Sequence, residues 1–321
     1  MALGALWLVP PMARAGTQRT QRTLLGTQID LQVNHANAQQ AHDAMDAAWL
    51  TMARLEQMMS RYVADNALDR LHAAAGQAPQ PVPPELFAVL QSALTLGASS
   101  QGAFDVTVGS LRDWDFRPGH EHVASAETVR AQLPLVKQSH LVLDPVHRTA
   151  RLRRSGTRLD LGGIAKLPIL QAGMAALRAG GIESAMLNGG GDVLVSGGNQ
   201  GMPWRIGIRD PRQPDRVLGT LALHDGIVAS SGDYERCFDR DGRHYHHVLD
   251  PRTGYPAQGP HGAVFVAREA AEVNGWGAAT LVAGRRFAQR QLAQAPGVQG
   301  LVVERDRSIW MSTGMRALLQ A

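Results

Sequence analysis

The sequence lacks the residues and patterns that build covalent cross-links, zinc sites and membrane spans. Its 321 residues include one cysteine, Cys237, so no disulfide can form within the chain. Twelve histidines are present, but neither an H-E-x-x-H nor a C-x-x-C motif occurs, which argues against a zinc site. No apolar run reaches the ~20 residues that a membrane-spanning helix needs, so we expect no membrane span.

Aromatic residues and long runs of one charge are also scarce. Aromatic side chains make up 5% of the chain, while hydrophobic content of 44% and charged content of 19% are ordinary for a globular protein. The formal net charge is +4, but the basic residues are dispersed and form no arm of the kind that binds nucleic acid. The composition therefore predicts a folded protein with an ample core and no nucleic-acid partner.

The N-terminal residues have the features of an export signal. Residues 1–11 are apolar, and Ala13-Arg-Ala15 before Gly16 resembles a small-x-small cleavage site. The basic segment that begins a signal peptide is missing, so we interpret residues 1–15 as a signal-peptide remnant; a packed or disordered arm is the alternative. Because no cysteine lies near this site, we expect an exported, periplasmic protein without a lipid anchor. Residues 16–321 are predicted to form one domain.

Hydrophobic periodicity predicts a mixture of strands and helices. Residues 25–33 alternate apolar and polar side chains as a half-buried strand does, whereas Ala38–Met59 carries apolar residues at helical spacing. Further helices are predicted over 65–75, 84–99, 120–139, 167–179 and 270–284, and further strands over 140–143, 149–153, 185–187, 193–196, 204–209, 218–223, 226–230, 262–267, 300–304 and 309–312. Because hairpins are mixed with helices, the order favours an α+β fold over a doubly wound sheet.

Two glycine-rich turns beside carboxylates form the centre of the sequence. They read Asp160-Leu-Gly-Gly-Ile-Ala-Lys166 and Asn188-Gly-Gly-Gly-Asp192. Glycine lets a backbone approach a ligand closely, and the N–H groups at a helix start, together with Lys166, suit phosphate oxygens. Asp160 and Asp192 can accept hydrogen bonds from a ring or ribose, or hold a cation. The pattern indicates a nucleotide-like ligand, although it is neither a Walker loop nor a G-x-G-x-x-G, and ordinary connecting turns are the alternative.

Other polar residues lie in segments flanked by predicted strands. His246, His247 and Asp250 are candidates for acid, base or ligand, since histidine titrates near neutrality; turn formation is the alternative. Asp105, beside β-branched residues, is interpreted as a turn carboxylate, with a ligand contact as the alternative.

Seven motifs, taken in order, make the chain resemble the ApbE family of FAD:protein FMN transferases. They are Gly26-Thr27, Ser60-Arg-Tyr62, Ala103-Phe-Asp-Val-Thr-Val-Gly109, Asp160-Leu-Gly-Gly-Ile-Ala-Lys166, Asn188-Gly-Gly-Gly-Asp192, Ser231-Gly-Asp-Tyr-Glu-Arg236 and His246-His-Val-Leu-Asp-Pro-Arg-Thr-Gly-Tyr-Pro256. The resemblance covers nearly the whole chain. It implies mixed sheets with helices packed on them, in an ApbE-like architecture related to the T-fold.

The resemblance also implies an activity. Members of this family are exported, bind FAD and Mg2+, and transfer the FMN half to a Ser or Thr hydroxyl of a partner protein with release of AMP. The partner is expected to be a redox protein of a periplasmic or membrane electron-transfer complex. Some members instead hydrolyse FAD to FMN and AMP.

Site residues follow from the resemblance and from the glycine-rich turns. For flavin-nucleotide binding they are Leu25, Tyr62, Ala103, Phe104, Asp105, Asp160, Lys166, Gly190, Asp192 and Val248. His247 and Asp250 are predicted to act in catalysis. The metal position is made of Gly163, through its carbonyl, with Asn274 and Ala278.

The sequence departs from the family at that metal position. Asn274 stands where the family has Asp, and Ala278 stands where the family has Thr. We expect both residues on the same face of one helix, at i, i+4. Losing a carboxylate and a hydroxyl weakens a site for a hard cation. We expect a transferase with a weaker or shifted metal site. The alternatives are a flavin-binding relative acting as a carrier or scaffold for a periplasmic redox complex, or an FAD pyrophosphatase.

Overall fold

The computed structural model describes residues 16–320, so the predicted signal-peptide remnant, residues 1–15, lies outside the described residues. The strands are β1 (Gly16–Leu24), β2 (Thr27–His35), β3 (Gln80–Pro81), β4 (Leu141–Asp144), β5 (Thr149–Leu152), β6 (Ser184–Gly189), β7 (Asp192–Ser196), β8 (Trp204–Asp210), β9 (Gln213–Leu223), β10 (Gly226–Gly232), β11 (Cys237–Arg240), β12 (Arg243–His246), β13 (Gly262–Ala267), β14 (Gln299–Val303), β15 (Ile309–Met311) and β16 (Leu319–Gln320). The helices are α1 (Ala38–Met59), α2 (Ala67–Ala73), α3 (Pro84–Ser99), α4 (Ala126–Gln132), α5 (Lys166–Ala179), α6 (Ala270–Val273), α7 (Trp276–Ala283), α8 (Arg285–Gln294) and α9 (Thr313–Leu318). Short 3₁₀ turns cover Val106–Ser110, Leu133–Leu135 and Gln138–His140.

One large antiparallel sheet organises these elements. Its eight strands run in the order β1-β2-β6-β7-β10-β13-β14-β15, and smaller sheets have the orders β16-β9-β8, β3-β5-β4 and β11-β12. Helices pack on one face of the large sheet and the β16-β9-β8 sheet covers the other. The predicted α+β class with helices packed on sheets is therefore confirmed, but the strand pairs of the large sheet are all antiparallel, so the expectation of mixed sheets was wrong. No helix within residues 16–320 combines the length and the apolar character needed to cross a membrane.

Alternation along the central strands separates two apolar layers. In β7, Leu194 joins the core under the helices, whereas Val193 and Val195 join the core under the small sheet. In β13, Phe265 faces the helices and Val264 faces the small sheet. Because side chains alternate across a strand, one strand buries apolar groups on both faces. These strands are accordingly continuous apolar runs rather than amphipathic ones.

Helix α1 shows how local sequence sets an element. Asn37 caps it, since its Oδ1 accepts hydrogen bonds from Gln39 N and Gln40 N at 3.0 and 3.1 Å. Its buried face includes Trp49 and Met52, and the sulfur of Met52 lies against α5 where that helix has no side chain, at Gly173. Burying each such large side chain contributes roughly 1.5–3 kcal/mol. This contact fixes α5, and hence Lys166 at its start.

Three predicted helices differ in the structure. The helix expected over 270–284 is broken, because Asn274 is extended (φ −60°, ψ 119°) and Gly275 is left-handed (φ 76°), so the prediction that Asn274 and Ala278 share one helix face was wrong. Within 120–139 only α4 is α-helical, because Ser125 caps it at Ala126 and Pro134 follows its end. The helix expected over 65–75 is shorter, because Asn66 caps it at Ala67.

Candidate functional site

The two glycine-rich turns meet at one end of the large sheet. Lys166 Nζ lies 3.1 Å from Asp192 Oδ2, and Asp192 Oδ1 accepts a hydrogen bond from Ser230 N at 3.0 Å. Ser230 Oγ in turn donates to the carbonyl of Gly191 at 2.9 Å. The start of α5, the start of β7 and strand β10 are thereby joined through Asp192, which sequence analysis predicted, and Ser230, which it missed.

A second set of contacts closes this arrangement into a ring. A Cβ added to Gly163 would lie 3.6 Å from Cβ of Ala278, and one added to Gly277 would lie 2.2 Å from Ser231 Oγ. Ser231 follows Ser230 on β10, so the path returns to Asp192. The ring therefore runs through segments 160–166, 190–192, 230–231 and 274–278, which are far apart in sequence. Below, these four segments are named the ring.

Gly190 belongs to the ring through a close backbone approach. Its φ is +69°, and a Cβ there would lie 2.4 Å from Thr27 Oγ1. A side chain at this position would therefore meet both backbone strain and a neighbouring hydroxyl. The turn brings main-chain groups, rather than a side chain, to the surface beside Asp192.

Asp160 lies at the outer edge of the ring, near the exposed side chain of Tyr62. Asp160 Oδ2 accepts a hydrogen bond from Arg61 Nη1 at 2.8 Å, and its Oδ1 accepts one from Gly162 N at 2.8 Å. The Arg61 guanidinium stacks 5.0 Å from the centroid of Tyr62, whose side chain is 68% exposed. An exposed tyrosine held by a guanidinium beside a carboxylate suits stacking on a planar ring.

The segment 103–105 lies below the ring rather than on its surface. Ala103, Phe104 and Asp105 are all buried, and the phenyl group of Phe104 lies beneath Gly163 and Gly275. Asp105 Oδ1 accepts hydrogen bonds from Thr107 N at 2.8 Å and Thr107 Oγ1 at 2.6 Å. Burial raises the pKa of this carboxyl group. The interpretation of Asp105 as a turn carboxylate agrees with this geometry, and its contact with a ligand stays a prediction.

His72 is a buried histidine that the sequence did not indicate, and it holds the backbone beside Asp160. His72 Nε2 accepts a hydrogen bond from the backbone N–H of Leu159 at 2.9 Å, so its Nε2 is unprotonated. Burial, and then the charge of Arg158, lowers the pKa of His72 to about 4. The histidine is therefore a neutral acceptor at neutral pH. Its only sequence signal was a histidine on the buried face of a short helix, which is an ordinary core position.

We expect His72 to make the folded protein acid-sensitive. Between pH 6.5 and 4 the unfolded chain binds a proton at this position that the folded chain does not, so the free energy of unfolding falls as the pH drops. The full contribution is about 3 kcal/mol. Urea unfolding of His72→Gln, which keeps an acceptor for Leu159 N–H, should show a shallower dependence than the wild type, whereas exposed His42→Gln should keep the wild-type slope. An unchanged slope in His72→Gln would contradict the assignment.

Leu25 lies in the turn of the first hairpin, in an unusual conformation. Leu25 and Gly26 have φ of 57° and 66°, as the two central residues of a type I′ turn do. Leucine rarely adopts this region, and the turn is held by the carboxylate of Glu56, which accepts a hydrogen bond from Leu25 N at 2.5 Å. Arg236 covers the turn, with Nη2 3.5 Å from the Leu25 carbonyl. The turn is therefore fixed from both sides.

His247 lies next to Arg236. Its backbone N–H donates to the Arg236 carbonyl at 3.0 Å, and the residue is exposed. Neighbouring protein atoms, and then the charges of Arg236 and His246, lower the pKa of His247, so the imidazole is neutral at pH 7 and accepts a proton as a weak base. The adjacent Val248 is half-buried against the main core, and its carbonyl accepts Ala257 N–H at 2.9 Å.

Asp250 and His246 are engaged in local structure. Both oxygens of Asp250 bind Arg252, with 2.9 Å to Nε and 2.7 Å to Nη2, and the Asp250 carbonyl accepts Gly254 N–H at 2.8 Å. His246 is buried and donates from Nε2 to the Ala257 carbonyl at 2.9 Å. These contacts favour the turn-forming alternative for both residues. A catalytic role for Asp250 stays a prediction, and the geometry favours His247 as the base.

The implied Mg2+ position does not have the donors that Mg2+ prefers. Asn274 Nδ2 donates to the Ile164 carbonyl at 2.9 Å, and Ala278 presents only a methyl group towards Gly163. Within residues 16–320 no group of three or more His, Cys, Asp or Glu side chains could hold a metal ion. Gly163, Asn274 and Ala278 do come together as predicted, but they offer neutral oxygens and no carboxylate, so they do not fit this cation.

Two open grooves of about 540 and 470 Å3 lie away from the ring. The first runs between α1 and α5 beside Ala44 and Gly180, and the second lies on β1, β2 and β6 beside Asp30. Neither is lined by a predicted site residue. The ring is nevertheless at the surface, because Gly162 and Gly163 are exposed and the Lys166 side chain is 25% exposed. The ring is therefore an exposed surface of the protein.

Comparison with known proteins agrees with this geometry. The model of the ApbE family matches residues 25–302. An FAD:protein FMN transferase from Treponema pallidum is 30% identical over 295 residues, which are 87% of this chain and 82% of that protein. One from Rhodobacter capsulatus is 33% identical over 304 residues, covering 93% of this chain and 57% of that protein.

Solved structures show the same fold. The crystal structure of the ApbE protein from Thermotoga maritima superposes with a TM-score of 0.85 at 28% identity, covering 95% of this chain and all of that one. The flavin transferase ApbE from Vibrio cholerae gives a TM-score of 0.82 at 24% identity over 95% of this chain and all of that one, a likeness of fold alone.

Proposed function

The chain belongs to the ApbE family, and from that premise we propose that it is an FAD:protein FMN transferase. It takes FMN from FAD and attaches it to a protein acceptor. The observation that carries the proposal is the ring, since it brings Asp160, Lys166 and Asp192 together at a surface formed by glycine backbone. An exposed tyrosine, Tyr62, and a neutral histidine, His247, complete the arrangement.

The transfer is a displacement at phosphorus. A Ser or Thr hydroxyl of the acceptor attacks the phosphorus of the FMN half, a new oxygen–phosphorus bond forms, and the bond to the bridging oxygen breaks. AMP leaves with the electron pair of that bond. The hydroxyl proton goes to the neutral imidazole of His247, which acts as the general base.

Each of the remaining side chains holds the substrate. The ammonium of Lys166 binds the phosphates at the start of α5, where no side chain caps the helix. Asp192 fixes Lys166 through the 3.1 Å ion pair. Asp160 accepts hydrogen bonds from an aromatic ring or a ribose of the nucleotide. Tyr62 stacks on the planar part of the nucleotide.

Mg2+ enters no step of this mechanism, because the donors at its family position do not fit it. We expect Asn274→Asp with Ala278→Thr to create a working site. Without a cation the new carboxylate would repel the Ile164 carbonyl that Asn274 now binds, so EDTA should lower the thermal midpoint of the double variant below that of the wild type. Mg2+ should then raise that midpoint and increase FAD cleavage.

A matched control separates charge from shape in this experiment. Ala278→Thr alone keeps Asn274 and should show no Mg2+-dependent rise in the midpoint. A double variant whose midpoint is the same in Mg2+ and in EDTA would show that the altered residues are not the cause of weak metal binding.

We further propose that the protein works in the periplasm, on a redox protein of a periplasmic or membrane electron-transfer complex. The apolar residues 1–11 and the small-x-small motif before Gly16 support export. The altered metal position favours a second function, a flavin carrier or scaffold that binds FAD without transferring FMN. Hydrolysis of FAD to FMN and AMP is the third outcome.

One assay distinguishes these functions. The protein is incubated with FAD and a candidate acceptor domain, and flavin fluorescence of the denatured acceptor is read in a gel while AMP is quantified. Covalent fluorescence with equal AMP release supports transfer. AMP without labelling indicates hydrolysis, and FAD binding without either product indicates a carrier.

A further inference from the structure

We propose that Arg236 binds the diphosphate of FAD and provides charge that the altered metal position does not. The proposal rests on the proposed function and extends it to a residue in the motif Ser231-Gly-Asp-Tyr-Glu-Arg236, for which the sequence indicated no role. It is carried by the pairing of the cations beside the ring and by the position of this guanidinium.

The cations beside the ring differ in their partners. Arg61 pairs with Asp160 at 2.8 Å and Lys166 pairs with Asp192 at 3.1 Å, so each of these charges is balanced by a carboxylate. Among residues 16–320, no carboxylate lies within 4.0 Å of the Arg236 guanidinium. Arg236 therefore carries a positive charge that no carboxylate of the described residues balances, and an anionic ligand is a partner that would balance it.

Arg236 is held in place at both ends. A Cβ added to Gly26 would lie 3.1 Å from Nη2, which is also 3.5 Å from the Leu25 carbonyl. The Arg236 carbonyl accepts the backbone N–H of His247 at 3.0 Å. The exposed guanidinium thus lies beside the Leu25–Gly26 turn, while the backbone of the same residue binds the backbone of the proposed base.

This location is where the reacting phosphorus must be. His247 can take the hydroxyl proton only if the attacked phosphorus is close to it, so the phosphate oxygens come within reach of Arg236 as well. A guanidinium presents several N–H donors in a planar fork, which matches phosphate oxygens in two-point hydrogen bonds. With Asn274 in place of a carboxylate, this side chain supplies neutralisation without a metal.

The test is a titration of FAD into the protein in EDTA, at several salt concentrations. Arg236→Gln should weaken FAD binding about tenfold or more and flatten the salt dependence, because one cation–phosphate contact is lost. Arg236→Lys, which keeps the charge, should recover most of both. Exposed Arg243→Gln, on the same hairpin, should change neither.

The outcomes are separable. If Arg236→Gln binds FAD as tightly as the wild type, or binds it more weakly with an unchanged salt dependence and no recovery in Arg236→Lys, the proposal is overturned. If the wild type itself gives no heat with FAD, the proposed function fails instead. Thermal midpoints of all variants identify any loss that comes from unfolding, and Arg236→Lys then carries the salt-dependence test alone.

Discussion

Replacing His247 with glutamine is expected to slow FMN transfer by about 10²- to 10⁴-fold, the usual contribution of a general base. FAD binding should change little, because the residue acts on the acceptor hydroxyl and not on the nucleotide. Its backbone contact to Arg236 does not involve the side chain and is retained. Single-turnover transfer with saturating FAD, read as covalent flavin on the acceptor, measures the effect.

Asp250→Asn is the matched comparison. Asp250 binds Arg252 through both carboxylate oxygens, so the amide should loosen the 250–255 turn and lower the free energy of unfolding by about 1 kcal/mol. The transfer rate should remain within a few-fold of the wild type. If Asp250→Asn abolishes transfer while His247→Gln does not, the assignment of the base is wrong.

The second large effect is expected at Gly109, which lies directly against the backbone at the start of the 160–166 segment. A Cβ there would lie 2.4 Å from the Leu159 carbonyl carbon and 2.6 Å from Asp160 N. Backbone atoms cannot rotate away, so Gly109→Ala must displace the segment and break the 2.7 Å hydrogen bond from Asp160 N to the Val106 carbonyl. We expect a loss of about 3 kcal/mol in the free energy of unfolding and of FAD binding.

Gly297 provides the control for this substitution. An added Cβ at Gly297 meets no atom within 4 Å. Chemical denaturation of Gly297→Ala should give nearly the wild-type value, and FAD titration should be unchanged. Comparable stability of Gly109→Ala and Gly297→Ala would mean that the 160–166 segment is not held where the structure has it.

Local patterns predicted much of the fold. Helix α1 was predicted at its bounds, because Asn37 caps it and its apolar residues recur at helical spacing. Strands β4 and β5 were predicted over 140–143 and 149–153, close to their observed bounds, and Asp144-Pro145 between them is a turn dipeptide. The break at Asn274-Gly275 was not predicted, since a hydrophobic run of helical spacing continues on both sides and outweighs a single glycine in the pattern.

The site was predicted in part, and the missing part depends on distance in the chain. Asp160, Lys166 and Asp192 stand in glycine-rich motifs and were predicted, whereas Ser230 and His72 hold these segments from positions 38 and 87 residues away. No spacing rule relates residues that far apart. For Asp250 the sequence also offered turn formation as the alternative, because Asp-Pro-Arg-Thr-Gly is a turn sequence with its cation two residues on.

Hydrogen–deuterium exchange with and without FAD tests the central claim, that the ring is the FAD site, most directly. The structure predicts slower exchange on FAD addition in 160–166, 188–192 and 230–236, with little change around the groove between α1 and α5. Protection confined to that groove, or to the outer face of β1, β2 and β6, would contradict the account.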